Sequence, residues 1–261
     1  TTDQLITLPA TALKLPCHPG AQAVVLPCIA GFVGGDTIAV LLSLPEHTFD
    51  SLTLILDIGT NGELVLGKND QLYACSTAAG PAFEGAKISC GMRGAPGAID
   101  HVTIKNGKLN LHVIGDGTPS GICGSGLLDL IACLLDLGII SNRGRLEKPV
   151  KWSDDLRESY AARFVTRDNV SALLLTDDKN GVYLSQKDIR EVQLAKAALA
   201  SGIELLCQEM GVSDSEISQV LLAGAFGTYL SPASACRIGL IPEPLLNRIR
   251  AIGNAAGEGA K

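Results

Sequence analysis

"LTLILDIGTNGELVLGK", residues 52–68, decides the fold. An apolar run ends in Asp57. Gly59, Thr60, Asn61 and Gly62 follow, and a second apolar run starts after Glu63. The two runs read as strands, and Asn61-Gly62 between them is a strong signal for a hairpin reversal. A buried strand that runs into a carboxylate and a glycine-rich turn suits phosphate binding. Backbone N–H groups of such a turn converge on an anion, and glycines let the backbone approach closely. Thr60 and Asn61 add side-chain hydrogen bonds, and Asp57 is placed to hold Mg²⁺ through water. A plain hairpin with a polar turn explains the same spacing equally well.

Outward from that stretch, "LYACST" (72–77) reads as a third strand of a meander. Before it, residues 1–28 are extended and punctuated by Pro9, Pro16, Pro19 and Pro27. "GFVGGDTIAVLLSL" (31–44) is a helix entered through glycines, with apolar residues at helical spacing. After it come a glycine-rich loop with a short helix, a hairpin turning at Asn106-Gly107, and a helix from "GICGSG" to about Gly138. Residues 141–170 are polar and read as a candidate insertion, and "VSALLLTD" (170–177) as a strand. Ser185 and Asp188 make a capping-box-like start to a long helix that stops at Gly211. The strand "QVLLAG" (219–224), a tight "GAFG" and short helices close the chain.

Composition narrows the class. The chain has 261 residues, 46% hydrophobic and 18% charged, enough to bury one large core or two small ones. Twenty-nine glycines and 4% aromatics point to an α/β protein with many tight turns. A net charge of -6 without a basic run argues against nucleic acid as a partner. No signal peptide or membrane-spanning run is evident. The start, without Met, reads like the interior of a longer chain. Eight cysteines occur without a CxxC pair, which argues against an iron–sulfur cluster held by this chain and fits a reduced, cytoplasmic setting.

Other motifs are weaker. "GDGTPSGICGSGLL" (115–128) has GxxGxG spacing rather than a dinucleotide fingerprint. Gly124 and Ser125 remain a helix entry able to meet an anion, or else a tight packing corner. There is no GxxxxGK[ST] and no HExxH. His101 and His112 read as hairpin surface residues, and Glu84 and Arg93 as solvated loop charges. Asp36, just inside a helix start, suits the helix dipole.

Taken in order, "GFVGGDTIAVLL", "DIGTNGE", "STAAGPAFEGA", "GICGSGLLDLI", "LAGAFG" and "GNAAGEGA" resemble the C-terminal region of the ATP-dependent reductive activators of corrinoid proteins. These belong to the actin-like superfamily of acetate and sugar kinases, heat-shock chaperones and actin. The resemblance runs from about Leu26 to the end. It implies a ribonuclease-H-like lobe with a mixed sheet flanked by helices, occupying 29–261. It implies ATP and Mg²⁺ as ligands, with phosphates cradled by Gly59, Thr60, Asn61 and Gly62. Adenosine would lie against Gly224, Ala225, Phe226 and Gly227, with Gly124 and Ser125 nearby, and Asp36 and Asp57 would be catalytic. The implied partners are a corrinoid protein and the ferredoxin-like, iron–sulfur and first-lobe domains of a longer chain; a homodimer is allowed. The family uses ATP to help return over-oxidised cobalt to its methyl-accepting state. The full-length protein would then be an ATPase and this chain alone inactive. A small-molecule kinase lobe and a non-catalytic docking lobe are the alternatives.

Overall fold

The computed structural model describes residues 2–176, 178 and 181–261, with Ala225 described by its backbone alone. Asp177, the end of the strand expected over 170–177, lies outside the described residues. Strands β1 (Ile6–Pro9) and β2 (Gln22–Val25) form an antiparallel pair ahead of helix α1 (Gly35–Leu42). The meander follows as β3 (Thr53–Ile58), β4 (Gly62–Lys68) and β5 (Gln71–Thr77). Next come β6 (Ala98–Lys105), β7 (Lys108–Val113), β8 (Gly121–Ile122) and helix α2 (Gly124–Asp136). Residues 141–170 hold helix α3 (Asp154–Tyr160) and β9 (Phe164–Arg167), which pairs with β10 (Val170–Leu174). Then follow β11 (Tyr183–Ser185), α4 (Gln186–Met210), β12 (Gln219–Ala223), α5 (Gly224–Tyr229), α6 (Pro232–Arg237), β13 (Ile249–Gly253) and α7 (Ala255–Gly259).

The main sheet has the order β13-β12-β3-β4-β5. The first three strands run parallel, and β3-β4-β5 are antiparallel. This mixed five-stranded sheet, covered by helices on both faces, is the ribonuclease-H-like lobe expected from the sequence. Side chains alternate between faces along a strand. Leu54, Leu56, Leu64, Leu66, Val220 and Leu222 enter the larger core with α2 and α4. Ile55, Val65, Leu221 and Ala223 enter a smaller one with Val40 of α1 and Ala255 of α7. Burial on both faces is why β3 reads as a continuous apolar run rather than an alternating one.

The long helix starts and stops as its sequence dictates. Ser185 and Asp188 form a reciprocal capping box, and Gly211 ends α4 with φ of 69°. All eight cysteines are free; Cys123, Cys133, Cys207 and Cys236 are buried. Burial pushes the Cys133 thiol up to about 11, so it behaves as a small apolar side chain. No helix among the described residues is long and apolar enough to cross a membrane.

Candidate functional site

Strand parity places the candidate carboxylates. Asp57 follows Ile55 by two residues on β3, so it faces the α1–α7 side of the sheet. Glu63 pairs directly across from Asp57 on β4, and Ala223 pairs with it on β12. Asp36, in the first turn of α1, approaches from above that face and raises the pKa of both Asp57 and Glu63 by like charge. Burial is the larger cause of the upward shift at Asp57 and at Glu63. Ser76 donates to Glu63 Oε1 at 3.0 Å and offsets part of this shift.

Three like charges at one sheet end, two of them pushed toward their neutral forms, suit a cation. The described residues contain no group of three or more His, Cys, Asp or Glu able to grip a metal directly. Carboxylates without such a cluster are the kind of group that meets a hard divalent ion such as Mg²⁺ through its waters.

The turn between β3 and β4 differs from the expected Asn-Gly reversal. A two-residue I′ turn needs positive φ at both central residues. Asn106 and Gly107 meet that demand, with φ of 52° and 73°. Asn61 and Gly62 do not: neither has positive φ, and Gly62 already belongs to β4. The turn is Gly59-Thr60-Asn61, closed by the Gly59 N–H donating to the Asn61 carbonyl at 2.9 Å. Gly62 is small for another reason. A Cβ there would lie 2.3 Å from Leu199 Cδ2 and 2.9 Å from Thr77 Oγ1, so α4 could not pack so closely. Thr60 donates to Glu84 Oε1 at 2.5 Å, which ties the turn to the loop after β5. Glu84, expected to be a solvated charge, is a partner of the turn.

The "LAGAFG" stretch arrives beside Asp57. Gly224 has φ of 82°, and a Cβ there would stand 2.8 Å from Asp57 Oδ1. Gly227 is buried, with Leu222 Cβ 3.0 Å from where its own would be. The ring of Phe226 stacks on Phe83 at 5.3 Å, with 11° between planes. The side chain of Ala225 lies outside the described residues. Gly124 sits under the same stack: its Cβ would meet the Phe83 carbonyl oxygen at 1.9 Å and Phe226 Cε2 at 2.8 Å. Ser125 is buried and donates to the Asp100 carbonyl at 2.9 Å. Gly124 thus touches the "GAFG" helix through Phe226, and its lack of a side chain serves packing.

Helix α1 carries a buried polar group next to Asp36 in sequence. Asp36 Oδ1 accepts from the Thr37 N–H at 2.8 Å, and the buried Thr37 hydroxyl has no partner among the described residues. α7 packs across α1 with almost no gap, since a Cβ on Gly259 would lie 1.7 Å from the Ala39 carbonyl oxygen. The structure therefore gathers Asp36, Asp57, Gly59–Gly62 and Gly224–Gly227 at one end of the sheet. Glu63, Ser76 and Thr37 were missed from sequence. Pairing Glu63 with Asp57 across the turn would have found the first of them.

Residues 51–261 match the family described as the C-terminal domain of RACo, the ASKHA domain; residues 1–47 match the RACo middle region. The chain is similar to the corrinoid activation enzyme RamQ of Eubacterium limosum, with 40% identity over 266 residues, covering 98% of this chain and 43% of that protein. It is 26% identical over 243 residues to the Co(II) methylated amine-specific corrinoid protein reductase of Methanosarcina barkeri, covering 85% of this chain and 40% of that one. A solved structure, a reductive activator for corrinoid, iron-sulfur protein, superposes with a TM-score of 0.85 at 34% identity, covering 99% of this chain and 41% of that one. The chain thus spans about two fifths of the length of each of these relatives.

Proposed function

This chain belongs to the family of RACo C-terminal ASKHA domains, and from that premise we propose that it is the ATP-handling lobe of a reductive activator. The whole protein would return oxidised corrinoid methyl-transfer proteins to the reduced cobalt state. The observation that supports the reading best is the junction of Asp57, Glu63 and Asp36 with Gly224 at the ends of β3, β4 and β12. Sequence-distant segments meet there, all with the chemistry that a magnesium nucleotide needs.

In this reading the Gly59–Gly62 backbone cradles phosphate oxygens. Asp57 and Glu63 would hold Mg²⁺ through its waters, and the ion would supply positive charge to the transferring phosphoryl group. Asp36, opposite them on α1, positions the attacking water and takes up its proton. Adenosine lies along Gly224 and Gly227, where the backbone is bare. Residues 1–28 are read as an extended segment of the longer chain and 29–261 as this lobe, while the two family matches divide between residues 47 and 51. The iron–sulfur electron donor is assigned to the remainder of the longer protein. ATP plus water gives ADP plus phosphate, while one electron from the donor takes Co(II) to Co(I).

The test uses full-length protein, titanium(III) citrate as electron source and a Co(II) corrinoid protein. Optical conversion to Co(I) that requires both Mg-ATP and the activator is the expected result. Conversion at the same rate and extent without ATP would overturn the reading.

Two further expectations arise here. Gly224→Val in the full-length protein puts a branched side chain where a single Cβ already meets Asp57 at 2.8 Å, on a backbone of positive φ. The nucleotide Kd rises tenfold or more, about 1.4 kcal/mol, measured by calorimetry with folding checked by circular dichroism. An unchanged Kd in folded protein would remove adenosine from this strand end. Separately, the 261-residue chain prepared anaerobically is expected to hold no iron or acid-labile sulfide. Stoichiometric amounts of both would force its cysteines to be reread as ligands.

A further inference from the structure

Four cations share one exposed face away from the carboxylate site. Arg143 and Arg145 come from the turn after α2, Lys187 and Arg190 from the start of α4. No salt bridge among the described residues holds any of them. In a chain of net charge -6 this is a local reversal of sign. Glu147 is bonded to Lys151 at 2.9 Å, and that bond first, with the charges of Lys151 and Arg145 after it, holds its carboxyl below its usual range. Asp188, between Lys187 and Arg190 in sequence, is buried and accepts from Ser89 and Ser185.

The face is built rather than loose. The Ser141 N–H donates to the Arg145 carbonyl at 2.9 Å, and the Gly144 N–H to the Ser141 carbonyl at 2.7 Å. Gln186 of α4 donates to the Gly144 carbonyl and accepts from the Leu146 N–H, both at 2.8 Å. Gln193, about two turns along, donates to the Arg143 carbonyl at 3.2 Å. The side chain of Gln193 lies so close that a Cβ on Gly144 would meet it at 2.0 Å. The backbone that carries the two arginines is thereby fixed beside a helix N-terminus, and that terminus adds positive potential of its own. Lys187 and Arg190 have the wrong sign for that end of a helix and weaken it.

The four residues line one open surface hollow with Gly144 and Gln186, not an enclosed pocket. A small anion is held by converging donors; a spread of cations on an open face matches a spread of carboxylates and speeds encounter. We propose that this face docks a carboxylate-rich surface of the corrinoid protein, an inference that rests on the function assigned above. Helix α4 then joins the docked partner to the nucleotide end of the lobe, because its Leu199 packs on Gly62, about 15 Å along the helix from the cations.

The test compares full-length wild type with Arg143→Glu/Arg145→Glu and Lys187→Glu/Arg190→Glu, using the Co(II) corrinoid protein as probe. Each double variant is expected to raise its Kd and its KM tenfold or more, with kcat at saturation and basal ATP hydrolysis unchanged. The dependence of Kd on salt should flatten. Arg143→Gln/Arg145→Gln gives a smaller shift of the same direction, and carries the test if the reversals fail to fold. Folded variants with wild-type Kd overturn the docking face while leaving the activator reading intact. A raised Kd for ATP instead marks a nucleotide anion site and overturns it. Altered sedimentation of the activator itself, with corrinoid affinity kept, marks an internal contact and overturns it too. Wild type that does not bind the corrinoid protein at all takes the assigned function down first, and this inference with it.

Discussion

Asp57→Asn in the full-length protein is expected to cut Mg-dependent ATP hydrolysis about ten- to a hundredfold, the loss that follows if the proposed water-mediated hold on the metal is removed. The same substitution should make the nucleotide-free protein more stable. Burial, then the charge of Asp36, raises the Asp57 carboxyl above its ordinary value of 3.8. The folded state therefore holds that proton more tightly than the unfolded chain does. Its contribution is intact below pH 3.8 and is lost as pH rises from there through the raised folded value. As pH rises through that value the wild type comes to carry the cost of the buried charge, and the Asn variant carries none of it. Mg-ATP reverses the order, because it stabilises the wild type by binding and the variant much less. Thermal unfolding at pH 7 with and without Mg-ATP, beside phosphate release, reads both effects. Near-normal turnover, or an apo variant less stable than wild type, would remove Asp57 from the role given it.

Gly124→Ala is expected to unfold the lobe more easily whether or not nucleotide is present. The single added carbon would lie 1.9 Å from the Phe83 carbonyl oxygen and 2.8 Å from Phe226 Cε2. Backbone cannot swing aside as a side-chain tip can, so α2 must shift against the loop that carries Phe83. Overpacking of this kind costs about 1–3 kcal/mol, or roughly 3–10 °C in Tm for a chain of this size. Gly31→Ala is the control, because nothing lies within 4 Å of its Cβ position. Equal Tm values for both variants and wild type would show that Gly124 is not packed as described. A Gly124 variant with normal Tm but weakened nucleotide binding would return the glycine to the ligand.

What the sequence revealed was what neighbours in the chain decide. The β3–β4–β5 meander, the Asn106-Gly107 turn and the ends of α4 each depend on residues within a few positions, and each forms where expected. Asp57 and Gly224 were each singled out in the sequence, and the parallel pairing of β3 with β12 sets Gly224 beside Asp57. The misreadings came from partners far along the chain. Gly62 looked like a turn glycine because Asn precedes it, whereas α4 sets its size. Asp188 was visible as a cap, but its other oxygen accepts from the Ser89 N–H at 2.7 Å and hydroxyl at 3.0 Å, which no local pattern could announce. The stretch 141–170 stayed opaque because short helices and strands there have little periodicity to display.

The order of strands in the main sheet also sets a timetable for synthesis. β3 can fold back on β4 and β5 as soon as they leave the ribosome, yet its other edge waits for β12, with Thr53 and Gln219 separated by 166 residues. At about 5–20 residues per second that wait lasts roughly 8–33 s. Throughout it an apolar strand, "TLILDI", stands with one row of backbone groups unpaired, the kind of edge that recruits foreign strands. The close seat of Gly259 on Ala39 closes later still. The nascent chain is thus most exposed to aggregation in the window before β12 emerges, and a holding chaperone would matter most then. Variants that slow elongation between β5 and β12 should lower soluble yield without altering the Tm of whatever folds.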